Sequence, residues 1–263
     1  MASILNVDGL SIAVRTHTVM QDVSFCVKPG EAILLSGANG IGKSMLLKAI
    51  MRLEESGKSI NGSIMFKGFG DILSLDGEDL QKYRSSVAYV GQKDEFSEMG
   101  NIRVHDIISD SYAAFSGKPL STSEVNDLID EWIPRKSDNS RVFDAKSKPV
   151  KFSGGEQRLL SVLSVIATRL TAELMLVDEP LNNLDFANAR NLSNLINRVM
   201  KQNPRMGLLM ISHCRIFPFI SREIELTPEG IKPAQDLYAC HSCFGHPDDN
   251  GYFLDVSNKY LRG

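Results

Sequence analysis

The sequence predicts an α/β fold with a mainly parallel sheet covered by helices on both faces. Three observations carry this expectation. Short uninterrupted apolar runs at 32–35, 174–177 and 207–211 read as fully buried strands. Longer helical segments at 44–53, 154–170 and 186–201 fall between such runs. Strands that alternate with helices join in parallel, because parallel neighbours need a crossover.

The elements follow in order. Residues 4–7, 11–14 and 23–27 are short β-prone runs separated by polar turns. Lys28-Pro29-Gly30-Glu31 is a turn signal before the buried run at 32–35. Leu46, Leu47, Ile50 and Leu53 form a helical stripe, and strand character returns at 60–66 and 86–90. The stretch 93–152 is polar and helical. In it Ser121 and Glu124 form a capping box, Val125, Leu128, Ile129, Trp132 and Ile133 share one helix face, and Pro134 ends the helix. Beyond the helix at 186–201 and the strand at 207–211, two short strands are expected near Ile224 and Ile231.

Composition limits the function classes. The chain has 263 residues, enough for one large domain or a domain with a subdomain. Its 29 basic and 32 acidic side chains give a net charge of −3, which argues against a dedicated nucleic-acid binder. With 43% hydrophobic residues, wholesale disorder is excluded. No apolar run approaches the roughly 20 residues that cross a bilayer. The start of the sequence shows no secretory signal, and four cysteines are too few for a secreted disulfide scaffold, so a cytoplasmic protein is expected.

Chemistry enters at Gly37-Ala38-Asn39-Gly40-Ile41-Gly42-Lys43-Ser44, a GxxxxGK[ST] loop between an expected strand and an expected helix. Gly37, Gly40 and Gly42 let the backbone wrap so that N–H groups, including that of Asn39, point at phosphate oxygens. The helix N-terminus adds its positive end. Lys43 then reaches the outer phosphates, and the Ser44 hydroxyl ligates Mg²⁺. A second motif ends the strand at 174–177 with Asp178 and Glu179. Asp178 sits where open α/β sheets bind ligands and would hold Mg²⁺, partly through water. Glu179, one position on, can polarise an attacking water, a contribution of typically 10²–10⁴-fold for a positioned general base.

With Phe152-Ser153-Gly154-Gly155-Glu156-Gln157-Arg158, upstream of Asp178, the chain resembles the nucleotide-binding domain of the ATP-binding cassette (ABC) ATPases. Their signature reads close to LSGGQ; here Phe152 takes the first position and Glu156 the fifth. The same residues also form a capping box, Ser153 with Glu156. The resemblance spans roughly residues 3–233. It implies a P-loop NTPase core, an antiparallel β subdomain and a helical signature subdomain. The implied division is 1–92 for the core with its β subdomain and 93–170 for the helical subdomain. Residues 171–233 would complete the core, and 234–263 form a tail.

The resemblance assigns further residues. Gln92 matches the glutamine that contacts Mg²⁺ and water, and His213 the histidine that contacts the γ-phosphate. Asn182 and Asp185, in Leu181-Asn182-Asn183-Leu184-Asp185, match the loop at the dimer interface. Ser153, Gly154, Gly155 and Glu156 would face the γ-phosphate bound on a second subunit. The expected activity is Mg²⁺-dependent ATP hydrolysis by a head-to-tail dimer, most simply a homodimer. The expected partner is an integral membrane permease on a separate chain, which places the protein at the inner face of the cell membrane. An iron–sulfur cluster assembly ATPase with a soluble scaffold is the alternative. Within 99–108, Ile102, Val104 and Ile107 are either the groove for the membrane partner or the core of the helical insert.

Two features depart from the family pattern. An aromatic usually stacks on adenine where Val14 stands here, with His17 nearby, so strictness for ATP is left open. The tail carries Cys240, Cys243 and His246. A zinc site there would need further ligands, and free thiols are the simpler reading.

Overall fold

The computed structural model describes residues 2–53, 57–92, 96, 99–136, 138–166, 168–182, 184–213 and 217–233. The tail cysteines and His246 lie outside the described residues.

The first two apolar runs are one strand. β1 (Leu5–Val14) continues through Asp8 and Gly9 by slipping register rather than by turning. Gly9 takes φ 57, which lets the strand kink and resume. β1 pairs antiparallel with β2 (His17–Val27) and with β4 (Lys58–Phe66), and β5 (Gly70–Asp71) completes a four-stranded sheet.

The second sheet has six strands in the order β10 (Gly230–Pro233), β9 (Arg222–Thr227), β3 (Ala32–Ser36), β8 (Gly207–Ile211), β7 (Leu174–Asp178), β6 (Val87–Val90). The pairings β9–β3, β3–β8, β8–β7 and β7–β6 are parallel, and only the edge pair β10–β9 is antiparallel. A mainly parallel sheet was therefore the right expectation.

Alternation along these buried strands divides the interior into two cores. Ala32, Leu34, Met175, Val177, Leu208 and Met210 face one side, packed with Leu159, Leu163, Leu192 and Ile196. Ile33, Leu35, Leu174, Leu176, Leu209 and Ile211 face the other, against Leu46, Leu47 and the antiparallel sheet. Every residue of β7 and β8 is buried, which is why their sequences are apolar throughout rather than alternating.

The helices are α1 (Lys43–Ile50), α2 (Gly77–Ser85), α3 (Val104–Ser116), α4 (Thr122–Trp132), α5 (Gly154–Ile166) and α6 (Phe186–Gln202). Sequence periodicity misses α2, because it is polar and buries only Tyr83. The expected capping box of α4 is present: Ser121 N–H donates to Glu124 Oε2 at 2.7 Å, and Glu124 N–H donates to Ser121 Oγ at 3.3 Å. Val104 and Ile107 are core residues, and Ile102 packs against the same core. Of the two readings for this stretch, insert core is the one that fits these side chains. No helix among the described residues is long and apolar enough to cross a membrane.

Candidate functional site

The site lies where β3, β6, β7 and β8 end. The loop from β3 into α1 uses its glycines differently. Gly37 has φ 137, and a Cβ there would stand 2.6 Å from the Leu226 carbonyl oxygen. Gly42 has φ 102 at the N-cap of α1, where no side chain caps the helix. The first-turn N–H groups of α1 are thus left to the loop side. Gly40, at φ 78, has open space where its Cβ would be.

Lys43 folds over the loop, its Nζ donating to Gly37 O at 2.8 Å and Ala38 O at 2.9 Å. Its burial pushes the ammonium pKa down, opposed by the charges of Glu179 and Asp178. Ser44 Oγ donates to Asp178 Oδ1 at 3.0 Å. Asp178 is 1% exposed, and that burial pushes its carboxyl pKa up. The Ser44 hydrogen bond opposes the rise and Glu179 adds to it. A buried carboxylate and a hydroxyl, both hard oxygen donors, fit a Mg²⁺ ion, which would relieve the desolvation of the acid.

Glu179 is the hub of the opposite wall. Its Oε2 accepts from Gln92 Nε2 at 2.8 Å and from Asn182 Nδ2, and His213 Nε2 lies 3.5 Å from Oε1. Its backbone has φ 45, uncommon for a residue with a side chain. Glu179 N–H donates to Ile211 O at 3.0 Å, which ties it to the end of β8. Asn39, Gly40, Gly42, Lys43 and Ser44 line a cleft of about 590 Å³ together with Gln92, Glu179, Asn182 and His213. Residues far apart in sequence are brought together because four parallel strands, β3, β8, β7 and β6, end side by side.

The signature residues lie elsewhere. Ser153 and Glu156 bond reciprocally: Ser153 N–H donates to Glu156 Oε2 at 3.0 Å, and Glu156 N–H donates to Ser153 Oγ at 3.3 Å. Lys136 Nζ lies 3.5 Å from Glu156 Oε1. Ser153 and Gly154 are exposed, and Gly155 is buried. A Cβ on Gly155 would be 2.4 Å from Asn188 Nδ2, so this glycine also lets α5 approach α6. None of residues 153–156 lines the cleft. Asp185 caps α6, accepting from Asn188 N–H at 2.8 Å and from Asn188 Nδ2 at 3.0 Å.

Sequence reasoning missed Lys48 and Lys58, which also line the cleft, and Arg158, which stands behind it. Lys58 arrives through the pairing of β4 with β1, opposite Val14. No local motif marks it. A second cavity of about 300 Å³, between Ile12, Ile60, Leu73 and α1 and also lined by Arg52, shares Met45 and Lys58 with the cleft but carries no carboxylate. Among the described residues no cluster of His, Cys, Asp and Glu could hold a metal by itself. The Ser44–Asp178 pair uses a hydroxyl, which such a cluster would not include.

The mainly parallel sheet with a glycine loop ahead of α1, together with the antiparallel sheet, has the fold of solved ATP-binding cassettes. The chain belongs to the ABC transporter family, whose model matches residues 20–182. It is 33% identical to an uncharacterized ABC transporter ATP-binding protein of Methanocaldococcus jannaschii, over 80% of this chain and 76% of that one. It is 28% identical to a phosphonates import ATP-binding protein of Rhodopseudomonas palustris, over 75% of this chain and 70% of that one. The fold matches a dimeric ATP-binding cassette bound to ADP and Pi with a TM-score of 0.65. That match covers 89% of this chain and 100% of that one, at 17% identity. This chain is thus an ABC ATP-binding subunit, as its motifs led one to expect.

Proposed function

We propose that two copies of this chain bind head to tail around two Mg–ATP, hydrolyse them, and drive a separate membrane subunit. One observation carries this reading: Gln92, Asn182 and His213 converge on Glu179 across the cleft from Lys43 and Ser44, while Ser153 and Gly154 lie exposed outside it. The cleft has the apparatus for hydrolysis, and an exposed anion-binding signature is left over for another molecule. A second copy supplies it most simply, by closed two-fold association.

In this scheme the loop N–H groups and Lys43 hold the phosphates. Ser44, Asp178 and Gln92 would hold Mg²⁺, which would supply charge neutralisation at the phosphate oxygens. Glu179 takes a proton from the attacking water, and Gln92 and His213 fix its carboxylate in place. Ser153, Gly154, Gly155 and Glu156 of one copy close on the γ-phosphate held by the other, with Asn182 and Asp185 along the seam. Hydrolysis removes the phosphate that both copies grip, and the pair opens. The names of the relatives favour transport over work with a soluble assembly scaffold.

The test is Glu179→Gln in the full chain. It should lose turnover, retain Mg–ATP and elute as a dimer when ATP is present. Hydrolysis at the wild-type rate, or nucleotide retention by a strict monomer, overturns the scheme.

A further inference from the structure

We propose that Arg158 is a positioning residue that holds Gln92 and Glu179 in register for hydrolysis. The proposal rests on the reading of those two residues as the hydrolytic pair. Arg158 is 3% exposed on α5, in a helix otherwise packed by Leu159, Leu160, Val162 and Leu163. Its guanidinium donates to three main-chain carbonyls: Nη1 to Gly91 O at 2.6 Å, Nη2 to Asp178 O at 3.0 Å, and Nε to Pro180 O at 3.1 Å.

The choice of carbonyls is informative. Asp178 and Pro180 are the neighbours of Glu179 on either side. Gly91 is the neighbour of Gln92. One side chain therefore pins the backbone around both members of the pair whose side chains meet at 2.8 Å. Glu179 needs such restraint, because its φ of 45 is a conformation that persists only where the surroundings over-determine it. Arginine suits the task. Its donors lie in a rigid planar fork that spans several acceptors, whereas a lysine offers donors from a single point. The same helix begins at the signature, so α5 joins the exposed Ser153–Gly154 end to the hydrolytic pair through Arg158.

The experiment compares Arg158→Met and Arg158→Lys with wild type in the full chain, by Mg–ATP turnover, ATP affinity measured without Mg²⁺, and melting temperature. Arg158→Met should lower kcat by about tenfold or more with Kd for Mg²⁺-free ATP within about twofold, because Arg158 does not line the cleft. Arg158→Lys should recover part of the loss. In the Glu179→Gln background, adding Arg158→Lys should change the residual turnover less than about twofold, since the carboxylate whose register with Gln92 it sets is gone. Turnover of Arg158→Met within about twofold of wild type overturns the proposal. So does a parallel fall in kcat and affinity, or full additivity with Glu179→Gln. If Arg158→Met does not fold, Arg158→Lys decides by the same criteria. An active wild type with unaffected Arg158 variants overturns this proposal alone. A wild type that does not hydrolyse Mg–ATP overturns the ATPase reading and this proposal with it.

Discussion

Gly37→Ala tests the phosphate loop where its geometry is tightest. Gly37 has φ 137, far from any well that an L-residue favours, and holding alanine there costs roughly 1–3 kcal/mol. Its new Cβ would also sit 2.6 Å from the Leu226 carbonyl oxygen. That partner is main chain of β9 and cannot rotate away, so overpacking adds roughly 1–3 kcal/mol. The loop either bears at least about 2 kcal/mol of strain or moves off β9. In the first case the melting temperature falls by about 4–8 °C or more, at about 2–4 °C per kcal/mol for a domain of this size. In the second the N–H groups and the Lys43 contacts to Gly37 O and Ala38 O are displaced, and Mg–ATP affinity falls at least about tenfold. Gly40→Ala is the internal control, because its Cβ meets nothing within 4 Å and only the φ of 78 counts against it. Calorimetric melting and titration with Mg–ATP read both outcomes. The reasoning fails if Gly37→Ala melts and binds like Gly40→Ala.

Two further outcomes are expected. Burial raises the Asp178 carboxyl pKa, so without Mg²⁺ the native state holds that proton more tightly than the unfolded chain. This contribution to stability is lost as pH rises from the ordinary carboxylate range through the raised value. Asp178→Asn should therefore melt higher than wild type at neutral pH without Mg²⁺, show a flatter dependence on pH, and lose Mg²⁺-dependent turnover; thermal melts across pH with and without Mg²⁺ check all three. Gly155→Ala forces the Asn188 side chain to turn away, which breaks its 3.0 Å bond to Asp185 Oδ2. A loss of about 1 kcal/mol in denaturant unfolding is expected, and no loss would show that α5 and α6 have slack there.

Much of the site was legible because its residues belong to short contiguous motifs. GxxxxGK[ST] and the Asp178-Glu179 pair each stand at fixed spacing in the sequence, and Ser153 with Glu156 forms the cap its pattern announces. Gln92 and His213 came from order along the chain, and the structure brings both to Glu179. The fold was legible where strands are buried on both faces, since β7 and β8 must then be apolar at every position. It was least legible where packing does not write a period. β1 looked like two strands because a kinked strand and a turn both draw on Asp8 and Gly9. α2 was hidden by its polar surface.

What the sequence determined by itself is the class of chemistry: a phosphate loop, a carboxylate pair and a signature, in an α/β frame. Each of these is local, carried by residues adjacent in the chain. What only the tertiary structure decided is how they work on one another. Lys58 comes beside the cleft through a strand pairing, and Gly155 doubles as the packing point of two helices. Arg158 reaches from the signature helix to three carbonyls at the ends of β6 and β7. Main-chain carbonyls are the same in every residue, so no sequence pattern marks which of them a buried guanidinium will find. Only the packing of α5 against two parallel strand ends selects them.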